Sequence, residues 1–200
     1  YKNNSNAFTK FVKILKYFQE EIQQFNSNSE LFDIFKVNKR ILLFLIQEKM
    51  IIFDNYVFST ITSFKYIKAK YPQYFLSEIK PFITESWISR QPEESEDLIK
   101  ELKSELPDNF NENREIGQNE NYSCKLIRED LVIDFISYVN KTNYSLKSKI
   151  TPSIYETDPF LIKKQYSRDK ISLIEYAAFY GSIQILQYLK MNNVNLAHTL

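Results

Sequence analysis

The chain has 200 residues, 26 basic and 25 acidic, for a formal net charge of +1, a balance that lends no support to a nucleic-acid or membrane-surface role. A content of 44% hydrophobic and 16% aromatic residues excludes intrinsic disorder. Two glycines, one cysteine and one histidine exclude a glycine-rich phosphate cradle, an intrachain disulfide, a cysteine-based zinc site and a His-Glu-x-x-His metal site.

Phe8, Phe11, Val12, Leu15, Phe18, Ile22 and Phe25 recur at steps of three and four, which predicts one helix with its apolar stripe in the core. Asn26-Ser27-Asn28-Ser29 interrupts it, and Ser27-x-x-Glu30 is a capping box for a short second helix. Asn38 caps a third over Lys39 to Lys49, whose six successive apolar residues, Ile41 to Ile46, place it in the middle of a bundle. Asp54 caps a fourth, carrying Val57, Phe58, Ile61, Phe64 and Ile67 until Tyr71-Pro72 stops it. Pro72, Pro81 and Pro92 confine the stretch around Trp87 to brief pieces, because proline removes a donor and disfavours helix just before it. Pro92 then opens a helix whose Glu93, Glu94, Glu96 and Asp97 sit where the macrodipole favours negative charge; this reads as a solvated helix start. Leu98, Leu102 and Leu106 repeat along it until Pro107.

Residues 108–121, polar and containing Gly117, read as a linker or loop. Cys124, Leu126 and Ile127 predict a short helix with the thiol buried as a small hydrophobe. Asp130 caps a second helix carrying Val132, Ile133, Phe135, Ile136 and Val139. Residues 143–170, with Pro152 and Pro159, read as extended or irregular. The segment SLIEYAAFYGSIQILQYLKMNNVNL is the most informative. Ser172-x-x-Glu175 is a capping box, the small Ala177-Ala178 pair allows close helix approach, and Gly181 suits a left-handed reversal. Ser182 caps a second helix with Ile183, Ile185, Leu186 and Leu189 inward, and Asn192-Asn193 ends it.

This segment resembles the ankyrin repeat. Ser172-Leu173-Ile174-Glu175 stands where that family opens with Thr-Pro-Leu-His, Ala177-Ala178 matches its alanine pair and Gly181-Ser182 its Gly-His turn. Leu173 replaces the family proline, Glu175 its histidine and Asn193 its closing glycine, which marks an atypical repeat. Aligning Asp130 with Gly181 gives a weaker upstream copy, in which Val132 matches Ile183 and Phe135 matches Leu186. That offset exceeds the roughly 33 residues of an ankyrin unit, the excess being an insertion near 145–170. A third candidate copy centres on Asn38 with Ile41, Leu42 and Ile46, ending at Gln47-Glu48-Lys49-Met50. Through ILLFLIQEKMI, YIKAKYPQYF, EIKPFI, SKITPSIYETDPFLIKK and SLIEYAAFYGSIQILQYLKMNNV, most of residues 25–196 resembles a large protist family. That family joins an N-terminal helical domain of unknown function to ankyrin repeats. The resemblance implies interaction modules without assigned catalysis, and further repeats beyond Leu200.

The expected fold is all-α: a helical-hairpin array over 1–107, the linker over 108–121, and atypical ankyrin-like repeats of an α-solenoid over 122–200. Such repeats shelter one another's apolar faces and leave a concave side for partners. The expected function is therefore a non-enzymatic protein–protein interaction scaffold, with no cofactor, no metal and an unidentified protein partner. The residues after the alanine pair, Phe179 and Tyr180, are its candidate anchors; the same two side chains are equally suited to pack against the insertion or the next repeat. RNA binding is the alternative, from cations interleaved with aromatics in Phe64-Lys65-Tyr66-Ile67-Lys68-Ala69-Lys70-Tyr71, although Phe64, Ile67 and Tyr71 share one helix face. A carboxylate-dependent hydrolase needs neither cysteine nor histidine, but nothing selects an acidic pair. His198 has no identifiable nucleophile beside it. No apolar run approaches the roughly 20 residues of a membrane span, and lone Cys124 suits a reducing cytosol or nucleus, the cytoplasm being the expected location.

Overall fold

Helices, most of them short, account for most of the described residues. The structure, a computed structural model, describes residues 2–63, 66, 70–89, 96–165 and 170–194. The described residues form helices joined by turns and loops and contain no strand; the one β-bridge among them joins Lys149 to Ser172, where the Ile150 N–H donates to the Ile171 carbonyl at 2.7 Å. No helix among them is long and apolar enough to cross a membrane.

Helix α1 (Lys2–Tyr17) and α2 (Gln19–Phe25) divide the first apolar stripe at Phe18. Only Leu15 is buried and Ile22 packs beside it, while Phe11, Phe18 and Phe25 are exposed by 37%, 46% and 77%. The stripe expected in the core thus meets it along one edge. Helix α3 (Asn28–Phe35) begins with the predicted capping box, the Glu30 carboxylate accepting from the Ser27 N–H at 2.8 Å. Asn38 Oδ1 accepts from the Arg40 and Ile41 amides, both at 3.1 Å, to start α4 (Lys39–Gln47). Asp54 accepts from the Val57 N–H at 2.9 Å to start α5 (Asn55–Ile61). That helix ends at Ile61; Phe64 and Ile67 lie outside the described residues.

Tyr71-Pro72 opens a helix rather than stopping one. Lys70 takes a left-handed conformation (φ 57°), and proline follows within the first turn of α6 (Tyr71–Tyr74), where its missing N–H is no loss. Then come α7 (Leu76–Ile79), a 3₁₀ turn (Lys80–Phe82) and α8 (Glu85–Ile88), the brief pieces that proline spacing predicts. Phe32, Leu42, Leu45, Val57, Ile61 and Phe75 form the core that these helices share. Helix α9 (Glu96–Lys103) follows; Pro92, Glu93 and Glu94 lie outside the described residues.

Residues 110–116, expected within a loop, form α10 (Phe110–Ile116), closed by left-handed Gly117 (φ 68°). Its two buried residues, Phe110 and Arg114, lie one turn apart and are held from outside. Phe110 packs with Leu76, Leu102 and Tyr155, and Arg114 pairs with Glu78. Polar composition hid this helix because distant contacts stabilise it. The expected irregular stretch likewise contains α13 (Pro159–Gln165), started by Asp158 accepting from the Phe160 and Leu161 amides.

Two helical hairpins make up the remaining core: α11 (Tyr122–Arg128) with α12 (Val132–Thr142), and α14 (Leu173–Tyr180) with α15 (Ile183–Met191). Helix α11 packs on α14, and α12 on α15. Their reversals share left-handed geometry at Asp130 (φ 53°) and Gly181 (φ 69°), and their ends share it at Asn143 (φ 51°) and Asn193 (φ 58°). The buried positions pair as Phe135 with Ile185 and Val139 with Leu189, not Phe135 with Leu186 as aligned. One residue turns a helix by about 100°, so the aligned pair and the buried pair cannot face the same neighbour. Helix α4 packs on α3 and ends in the same way, at Lys49 (φ 58°), with the Met50 N–H bonded to the Leu45 carbonyl as Val194 is to Leu189.

The capping between hairpins differs from the local expectation. Asp130 does not cap α12, which has no side-chain cap, and Ser182 does not cap α15. Instead the Asp130 carboxylate accepts from the Gln184 and Ile185 amides (3.1 and 3.0 Å), capping the second helix of the next hairpin. The Ser182 hydroxyl donates back to the Ile127 carbonyl. Asp130→Gly keeps the reversal conformation and removes only this cap; it is expected to lower stability by about 1–2 kcal/mol in urea unfolding, although glycine is the easier residue at positive φ.

Candidate functional site

The reversals of the two hairpins and the loop after α10 enclose a groove of about 850 Å³, lined by Gln118, Glu120, Lys125, Arg128, Glu129 and Tyr180 among others. Two of its lining residues, Glu120 and Arg128, are held by residues outside it. Asn119 is fully buried, donates to the Thr151 carbonyl (2.8 Å) and accepts from the Asn121 N–H (3.0 Å). Arg128 donates to the Asn119 carbonyl at 2.7 Å and to the Tyr176 hydroxyl at 3.0 Å, so its guanidinium is oriented by two elements. Ser153 donates to the Glu120 carboxylate. Lys125 and Glu129, exposed at the end of α11, give the rim one charge of each sign.

A second cleft, of about 420 Å³, lies between the start of α4 and the segment 156–159, with Tyr180 bordering both cavities. Gly117 brings its walls together: a Cβ there would sit 2.9 Å from both Arg40 Cδ and Thr157 Oγ1, and the Thr157 hydroxyl donates to the Gly117 carbonyl at 2.7 Å. Arg40 stacks its guanidinium on the Phe8 ring at 3.9 Å, and burial holds its pKa below the ordinary value. Glu156 is 1% exposed. Its Oε1 accepts from the Thr157 and Asp158 amides, and burial pushes the carboxyl pKa up to about 7.

Behind this cleft Lys39 is completely buried. Its ammonium donates to the Ile154 carbonyl at 3.3 Å and lies 5.1 and 5.3 Å from the Tyr71 and Tyr74 ring centres. Burial pulls its pKa down to about 7, against a partial opposing attraction from Glu156.

The two anchors expected from sequence point to different surroundings. Phe179 stacks parallel on Phe160 of α13, centroids 5.7 Å apart, beside a small apolar groove that includes Leu161, Ile171 and Ala178. Tyr180 is 6% exposed, with its ring 4.7 Å from that of Tyr176. Phe179 thus packs against the insertion through Phe160 while staying partly exposed. Cys124 is buried as expected, and desolvation pushes its pKa up to about 12. In the segment considered for RNA, Tyr66 and Tyr71 are both buried and meet edge to face at 4.8 Å; Phe64, Lys65, Ile67, Lys68 and Ala69 lie outside the described residues, as does His198. Arg40, Glu156 and Arg128 carried no signal in the sequence, since their significance comes from burial beside residues distant in the chain.

No family model matches the chain, no curated protein is similar enough to match, and no solved structure matches the fold.

Proposed function

We propose that this chain is a protein–protein interaction scaffold of the cytoplasm, built on ankyrin-like repeats of an α-solenoid, and that it has no catalytic role. The observation that carries this reading is the capping between hairpins: Asp130 of one reversal holds the amides of Gln184 and Ile185 in the next, while Ser182 returns a bond to Ile127. Bonds of this kind fix a constant relation between successive hairpins, as a stacked repeat requires. The groove beside the reversals, with a rim of both charges, is the surface for the partner; Tyr180 lines it, while Phe179 lines a separate small groove with Phe160. A buried thiol without a disulfide partner suits a reducing compartment.

Charge reversal at the rim tests this without disturbing the core. The full chain and its Lys125→Glu/Glu129→Lys variant, matched for circular dichroism and melting temperature, are used to capture proteins from native lysate. Proteins retained by the unaltered chain and lost from the variant are the expected result. Identical captured sets, or none from either, contradict the proposal. Tyr180 is unsuited to this test, because removing a side chain so deeply buried reports on folding.

A further inference from the structure

Among the described residues, four buried side-chain polar atoms lack a hydrogen-bond partner: Arg40 Nε, Gln73 Oε1, Arg114 Nε and Glu156 Oε2. Two of these, a cationic donor and a carboxylate oxygen, belong to residues that line the same cleft of about 420 Å³. Buried polar groups are almost always paired, so two unpaired groups of opposite sense beside one cavity describe the complement of a ligand. The surrounding side chains extend the pattern. Asn38 spends its Oδ1 on capping α4, which leaves the amide's donor side for the cleft, and Asp158 adds a second carboxylate close to Glu156. A simple anion would satisfy Arg40 but would meet the carboxylates of Glu156 and Asp158. A simple cation would satisfy the carboxylates and meet Arg40. A single molecule carrying both a negative acceptor and a positive donor answers both charges at once, which water, being neutral, does not.

We propose that this cleft binds a small amino-carboxylate, a zwitterion of the size of a free amino acid, with its carboxylate on Arg40 and its ammonium on Glu156. The planar guanidinium, braced on the Phe8 ring, presents a fork suited to a carboxylate. The site adjoins the partner groove, and Ile116, Gln118 and Tyr180 border both; Arg40 and Glu156 line this cleft alone of the two.

The test is calorimetric titration of the full chain with each standard L-amino acid, and with sodium acetate, inorganic phosphate and methylammonium as single-charge controls. Glu156→Gln and Arg40→Met are titrated in parallel, each first shown by melting to be folded. At least one amino acid is expected to bind saturably, and each substitution to weaken it by about tenfold or more, the scale of a lost charge-assisted hydrogen bond. Acetate and methylammonium are expected to bind far more weakly than that amino acid. Saturable binding of no amino acid, acetate or phosphate binding as tightly as the best amino acid, or affinity unchanged in both folded variants would each overturn the assignment.

Discussion

Arg114→Met is expected to cost about 3–5 kcal/mol, the scale for removing one partner of a buried ion pair. Arg114 joins α10 to the N-terminal helices by a forked pair with Glu78, its Nη1 and Nη2 donating at 2.7 and 3.0 Å. The same Nη1 donates to the Tyr74 carbonyl at 3.0 Å, and the Tyr74 hydroxyl donates to the Arg114 carbonyl at 2.9 Å. The guanidinium also lies 4.9 Å from the Phe110 ring centre. Methionine keeps much of the stem packing but strands the Glu78 carboxylate and the Tyr74 carbonyl. Against a total stability of about 5–15 kcal/mol, that loss shifts the urea midpoint markedly. Adding Glu78→Gln is expected to recover part of it, since the stranded charge is then gone. A loss below about 1 kcal/mol would show that α10 is not held by this pair.

Lys39→Met is expected to flatten the dependence of stability on pH above neutrality. The buried amine titrates near 7 in the folded chain against an ordinary 10.5. Between those values the unfolded chain binds the extra proton, so stability rises with pH across that window. Glu156 works in the opposite direction. Its folded pKa of about 7 lies above the ordinary 4.5, the folded chain holds the extra proton between them, and stability falls as pH climbs through that range. The two together place a minimum of stability near pH 7. The lysine arm amounts to about 2–4 kcal/mol over that pH window, allowing for relaxation around the charge. Urea unfolding at intervals from pH 7 to 9.5 reads it directly: a rise in the unaltered chain and none in Lys39→Met. The same rise in both would remove Lys39 as its source.

Where local chemistry sufficed, the sequence was legible. The capping boxes at Ser27/Glu30 and Ser172/Glu175, the caps at Asn38 and Asp54, and the left-handed Gly181 and Asn193 depend on neighbours within a few residues. Where the deciding contact was distant, local signs misled. Residues 110–116 look like loop because their asparagines and glutamates are read and the link from Arg114 to Glu78 is not. Asp130 looks like a cap for its own helix and serves the next hairpin. The stripe from Phe8 to Phe25 has the period of a core helix, yet periodicity does not reveal how wide a face the rest of the chain covers. Arg40 and Glu156 meet at one cleft only because Gly117 lets their segments approach, and nothing in either local sequence announces it.

The hairpin reversing at Asp130 stacks on the one reversing at Gly181, and nuclear Overhauser contacts in the isotope-labelled chain report on that stacking without any substitution. The expected result is cross-peaks from the Asp130 β-protons to the amides of Gln184 and Ile185, and from Ile127 to Ser182. Strong cross-peaks within each hairpin with none between these pairs would contradict the stack.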